Sequence, residues 1–150
     1  AVGNNLGNSL VANAFANVLD GGLGNDFLHG EEGNDTLTGG GGLDKFVFRK
    51  ALGSTNIDTI TDFVVADDTI QLSAAIFATA GPVGTLAAGA YKEIGFAGAA
   101  AVDASDRIIH NRATGDIVFD ADGSGAGAAV LFAKVGTGLV MTAADFQIIA

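Results

Sequence analysis

Gly21-Gly22-Leu23-Gly24-Asn25-Asp26-Phe27-Leu28-His29 runs directly into Gly30-Glu31-Glu32-Gly33-Asn34-Asp35-Thr36-Leu37-Thr38, and that into Gly39-Gly40-Gly41-Gly42-Leu43-Asp44-Lys45-Phe46-Val47. Three nine-residue units in one phase are an internal repeat. Upstream the phase persists in worn form, with Asn8 and Leu10 in residues 3–11 and Asn17 and Leu19 in residues 12–20. The sixth position therefore reads Asn8, Asn17, Asp26, Asp35, Asp44, and the eighth Leu10, Leu19, Leu28, Leu37, Phe46. Nine is not a helical period, and so much glycine opposes a helix. Glycine does permit tight turns. The residues around each eighth position suit a very short strand, with that side chain inward and its neighbours outward.

A turn and a strand make half a coil, so successive strands fall alternately into two facing parallel sheets. Leu10, Leu28 and Phe46 are expected to stack in one sheet, and Leu19 and Leu37 in the other. Turns of alternate repeats then lie about 4.8 Å apart on one edge. That pairs Asp26 with Asp44 on one edge and Asn17 with Asp35 on the other. Two carboxylates at this spacing repel by roughly 3 kcal/mol at an effective dielectric near 20. Lys45, beside Asp44, is the one basic residue within the repeat turns. A hard divalent cation between turns reverses the sign. Calcium takes about 6–8 oxygens, which carboxylates and glycine-turn carbonyls supply. Cysteine is absent, so zinc and copper lack soft ligands.

The repeats resemble the nonapeptide Gly-Gly-x-Gly-x-Asp-x-(apolar)-x of RTX proteins, as in the C-terminal domains of serralysin-like metalloproteases. Residues 21–47 match closely and residues 3–20 weakly. The resemblance implies a parallel β-roll with Ca2+ held between turns. It implies one site from Gly22, Gly24 and Asp26 with Gly39, Gly41 and Asp44. A second would join Asn13, Phe15 and Asn17 to Gly30, Glu32 and Asp35, weakened where Asn17 replaces an aspartate. A third would join Glu31, Gly33 and Asp35 to residues beyond the roll, with Asp58 capping the last turns.

The whole chain reads as one all-β domain, 1–150: a β-roll over 3–48, then a β-rich cap over 49–150. Asp58-Thr59-Ile60-Thr61-Asp62-Phe63 and Asp67-Asp68-Thr69-Ile70-Gln71-Leu72-Ser73 alternate as strands do, and resemble the segment after the repeats in the same family. Ser73 is expected to cap a short helix over 73–80. Residues 107–110 and 116–119 read as a hairpin turning at 112–115, with further strands at 128–134 and 146–149. Asp120-Ala121-Asp122-Gly123-Ser124-Gly125 begins like an EF-hand loop, but Leu131 stands where its distal glutamate belongs, so a hairpin turn is the reading. Residues 139–150 read as a final edge strand, and resemble the uncleaved signal of type I secretion substrates.

The chain of 150 residues carries a net charge of −10, and its 49% apolar content argues against disorder. A surface for nucleic acid needs clustered Lys and Arg, so none is expected. No apolar run of about 18 residues exists for stable membrane insertion, and no basic-then-apolar leader opens the sequence. His29 and His110 form no HExxH pair, and no G-x-S-x-G or phosphate-loop motif occurs, so the chain is not expected to be an enzyme. His29 reads as a surface residue and His110 as an ordinary strand residue. The functional expectation is a non-catalytic calcium-binding module of a secreted, extracellular bacterial protein. It would fold when calcium binds, after passage through a type I exporter that reads its C-terminus. Ala1 opens within a worn repeat, hence the expectation of an upstream cargo domain. The alternative is an adhesin or polysaccharide-binding accessory module of a larger extracellular protein or enzyme.

Overall fold

The computed structural model describes residues 1–96, 102–123 and 128–150. Seven short strands open the chain: β1 (Ser9–Val11), β2 (Val18–Asp20), β3 (Phe27–His29), β4 (Thr36–Thr38), β5 (Lys45–Phe48), β6 (Asp58–Ile60) and β7 (Thr69–Ser73). They alternate between two sheets, and every pairing among them is parallel. Leu10 faces Leu28, Leu28 faces Phe46 and Phe46 faces Ile70 in the first sheet. Leu19, Leu37 and Ile60 stack likewise in the second. Six of these seven are buried and join one core cluster, against which Leu10 packs half-buried. The inward eighth position thus builds the core of an all-β parallel roll.

The ladders do not stop where the repeats stop at Phe48, because β6 and β7 continue them without a nonapeptide pattern. Beyond β7 come β8 (Gly84–Thr85), β9 (Tyr91–Ile94), β10 (Ile108–Asn111), β11 (Asp116–Phe119), β12 (Val130–Lys134) and β13 (Phe146–Ile149). β10 and β11 form the expected antiparallel hairpin. β11 and β12 are antiparallel too, so residues 120–129 connect a second hairpin, of which 124–127 lie outside the described residues. Then β12 returns beside β6, and β13 beside β7, both in parallel. The sheet orders are β1-β3-β5-β7-β13-β8 and β2-β4-β6-β12-β11-β10-β9.

Two expectations change. The expected helix over 73–80 is absent: Ser73 ends β7 and residues 74–80 form successive turns, with Phe77 N–H on the Ser73 carbonyl and Ala80 N–H on the Phe77 carbonyl. Phe77 is fully buried against Phe119 and Phe132, so its packing sets the path. The last strand is not an edge: β13 lies between β7 and β8, with Phe146 and Ile148 fully buried. Among the described residues no helix is long and apolar enough to cross a membrane.

Candidate metal centre

Each turn edge carries a directed ladder of hydrogen bonds. On the first, Asn8 N–H donates to Asp26 Oδ1 (2.6 Å), Asp26 N–H to Asp44 Oδ1 (2.8 Å) and Asp44 N–H to Asp68 Oδ1 (3.0 Å). On the second, Asn17 N–H donates to Asp35 Oδ1 (2.7 Å) and Asp35 N–H to Asp58 Oδ1 (3.1 Å). Each aspartate commits one oxygen to the coil above. Asp58 follows Asp35 in the second ladder, and Asp68, which the sequence pattern did not single out, follows Asp44 in the first. Within the repeats the ladder steps by 18 residues, but Asp58 follows Asp35 by 23 and Asp68 follows Asp44 by 24, so longer connections break the phase.

The second oxygens are the chemical anomaly. Oδ2 of Asp26, Asp35 and Asp44 is buried without a hydrogen-bond partner. Asp26, Asp35, Asp44, Asp58 and Asp68 are all buried, and no ion pair among the described residues includes any of them. A buried carboxylate without a counter-charge is strongly disfavoured. Burial accordingly pushes Asp35, Asp44 and Asp68 above the usual carboxylate range, and Asp58 up to about 7.

These oxygens crowd against first-position glycines. A Cβ on Gly30 would lie 2.5 Å from Asp35 Oδ2 and 2.6 Å from Asp58 Oδ2. One on Gly21 would collide with Asp26 Oδ2 and lie 2.5 Å from the Gly39 carbonyl oxygen. Oxygens of successive coils therefore converge in both places. Among the described residues no three carboxylate or imidazole side chains gather as a metal-holding set. A cation would need backbone carbonyls as well, and such an all-oxygen set is hard and flexible, as calcium prefers.

The remaining expected residues fall out unequally. The Gly22 carbonyl accepts from Gly41 N–H (2.9 Å), and the Gly41 carbonyl from Gly24 N–H (2.8 Å), tying the two first-edge turns together. On the second edge, Asn17 Nδ2 donates to the Phe15 carbonyl (2.8 Å) and to Asn13 Oδ1 (3.3 Å). An amide there serves the oxygens intended for a cation. Ala12 also stands where the sound repeats have Gly21, Gly30 and Gly39. The structure thus brings Asp35 together with Asp58 more fully than with Asn17. Gly33 lies against the Phe15 backbone, and Glu32 is exposed.

Glu31 is the single non-glycine residue with positive φ (68°) among the described residues, at the position that Gly22 and Gly40 occupy in neighbouring repeats. Its side chain pairs with Arg49 and Lys50, cations that spacing within the repeats did not reveal. Lys45 does not neutralise Asp44; its ammonium sits 4.6 Å over the Phe27 ring. His29 is half-buried with Nδ1 enclosed and unpartnered, so it is less exposed than expected.

The described residues thus form a two-edged roll whose turn aspartates have no cationic partner among them. Residues 2–46 match the family model of the RTX calcium-binding nonapeptide repeat, in four copies, so the match takes in the worn upstream stretch. No curated protein matches the chain. Among solved structures, the AlgE6R3 subunit of the Azotobacter vinelandii mannuronan C5-epimerase aligns with 95% of this chain and 78% of that one, at 24% identity and a TM-score of 0.44.

Proposed function

We propose that this chain is a non-catalytic module whose roll folds on binding calcium, and that it serves the export of a larger secreted bacterial protein. The observation that carries the proposal is the set of three buried, partnerless carboxylate oxygens on Asp26, Asp35 and Asp44. Asp26 and Asp44 with the Gly39 carbonyl would hold one ion, with Gly22, Gly24 and Gly41 shaping the turns. Asp35 and Asp58 beside Gly30 would hold a second. Glu31 and Gly33 belong to that turn, while the Asn13, Phe15 and Asn17 level would bind more weakly. Bound calcium supplies positive charge that offsets carboxylate repulsion, and this couples binding to folding. At low calcium the repelling turns keep the chain open, the state a narrow type I exporter needs. Phe146 and Ile148 are buried in the folded chain, so an exporter reading the C-terminal tail would do so before folding.

Circular dichroism in chelator and in millimolar calcium tests the coupling. The expected result is a gain of β signal on calcium addition. An equally stable fold in chelator would sink the switch, and an absence of calorimetric calcium binding would sink the whole reading.

A further inference from the structure

Asp62 lies outside the repeats and outside the aspartate ladder, yet its carboxylate holds two consecutive backbone amides of the first edge. Its Oδ1 accepts Gly39 N–H at 2.9 Å and its Oδ2 accepts Gly40 N–H at 2.8 Å. One coil higher, Gly21 N–H donates instead to the Thr38 carbonyl, an ordinary backbone contact. At the last repeat turn a carboxylate takes the place of that carbonyl and grips a second amide as well.

The second amide matters because of peptide geometry. Gly40 N–H and the Gly39 carbonyl belong to one planar trans peptide unit, so they point in opposite directions. Drawing Gly40 N–H toward Asp62, on the coil below, turns the Gly39 carbonyl toward the coil above. There the Gly39 oxygen and Asp26 Oδ2 converge beside Gly21. A charged acceptor on the N–H also strengthens and polarises the unit, increasing the negative character of its oxygen. Gly40 has φ of 92°, so the plane can adopt this orientation without the penalty a side chain would bring.

We infer that Asp62 is a positioning residue for the first-edge calcium site, acting through the Gly39–Gly40 peptide rather than as a principal ligand. This rests on the calcium reading proposed above. It places a determinant of affinity in the Asp58–Phe63 segment, beyond the residues that match the repeat family. It also makes the two edges differ, because among the described residues no comparable carboxylate grips the Gly30–Glu31 peptide on the second.

The test uses the whole chain with carbonyl-13C and amide-15N labels, comparing wild type with Asp62→Ala and Asp62→Asn. Calorimetry is expected to show one class of site weakened about 10- to 100-fold in Asp62→Ala, the range for losing a partner that orients a ligand, with the other class unchanged. Asp62→Asn, which keeps one acceptor oxygen, should recover part of that loss. The Gly39 carbonyl resonance should move on calcium addition in wild type and move less in Asp62→Ala. Unaltered affinities with an unaltered Gly39 response would overturn the inference, as would equal weakening of both classes. Wild type without measurable calcium binding would overturn the underlying reading instead. If Asp62→Ala does not fold, Asp62→Asn alone decides, since loss of one grip should still shift one class and spare the other.

Discussion

The roll and the C-terminal region bury acid in opposite ways. Asp26, Asp35, Asp44, Asp58 and Asp68 lie on the turn edges of the roll, and among the described residues none has a cationic partner. In the C-terminal region, buried Asp106 accepts Asp103 N–H and lies near Lys92, while Asp145 accepts Thr142 N–H in a capping box. Glu93 similarly meets Arg112 and His110. Their cores differ as well. The repeats stack one inward eighth-position residue per short strand, whereas Phe77, Phe119 and Phe132 pack edge-on in a cluster beyond the roll, joined to it through Phe48 at the end of β5. The C-terminal region gives Asp106, Asp145 and Glu93 partners of their own, whereas among the described residues the roll gives its five aspartates no cation.

The largest effect should come from the self-sufficient side. Phe77→Ala empties a fully buried site between two rings, so a loss of about 3–5 kcal/mol is expected in saturating calcium. The rise of melting temperature with calcium concentration should keep its slope, because the proposed ion sites lie elsewhere. Asp44→Asn should instead flatten that slope. Thermal melts over a calcium series separate the two, and a flattened slope in Phe77→Ala would mean that the regions are not energetically distinct.

A smaller effect tests whether glycine in the roll serves the acid. Gly30→Ala drives a methyl into Asp35 Oδ2 and Asp58 Oδ2 and should lose about 2 kcal/mol or more in calcium. Gly89, in the C-terminal region, has open space where its Cβ would stand. Gly89→Ala should stay within about 0.5 kcal/mol. Urea unfolding of both variants measures the contrast, and equal losses would remove the link between the first-position glycine and the carboxylates.

What could be read in the sequence follows the same division. A fixed phase made Leu10, Leu28 and Phe46 one stack and Leu19 and Leu37 another, and it placed Asp26 below Asn8 and above Asp44. Asp58, in the first strand-like alternation after the repeats, was expected only as a cap to the last turns. Asp68 and Asp62 were hidden, since longer connections carry the coil onward without repeating its residues. The return of β12 and β13 to the roll was hidden for another reason: their partners are β6 and β7, far away in sequence, and nothing local in Val130–Lys134 or Phe146–Ile149 specifies them. Glu31 with Arg49 and Lys50 likewise depends on one turn lying over the next.

The subtlest difference is the sign of the response to protons without calcium. Burial raises Asp58 to about 7 and raises Asp35, Asp44 and Asp68 from the usual 3.8. An acid raised in the folded state binds its proton more tightly there. Its contribution is therefore complete below the unfolded value and is lost as pH rises through the folded one. For Asp58 that window runs from 3.8 to about 7. His110 behaves in reverse: burial lowers it from 6.5, against the opposing pull of Glu93. Its contribution is present above 6.5 and is lost as pH falls through the lowered value. Moving from pH 7 to 5 in chelator should thus raise protection of the β4 and β6 amides around Asp58 and lower that of β10. Each titrating group can contribute about 1 kcal/mol per pH unit. Hydrogen-exchange protection factors, corrected for intrinsic pH dependence, report the two segments in one experiment. Saturating calcium should abolish the gain in the roll, because the ion takes the place of the proton on the same carboxylates, and should leave the loss in β10. A common sign in both segments would mean that the aspartate ladder and the His110 strand open together, and the electrostatic contrast between roll and C-terminal region would fail.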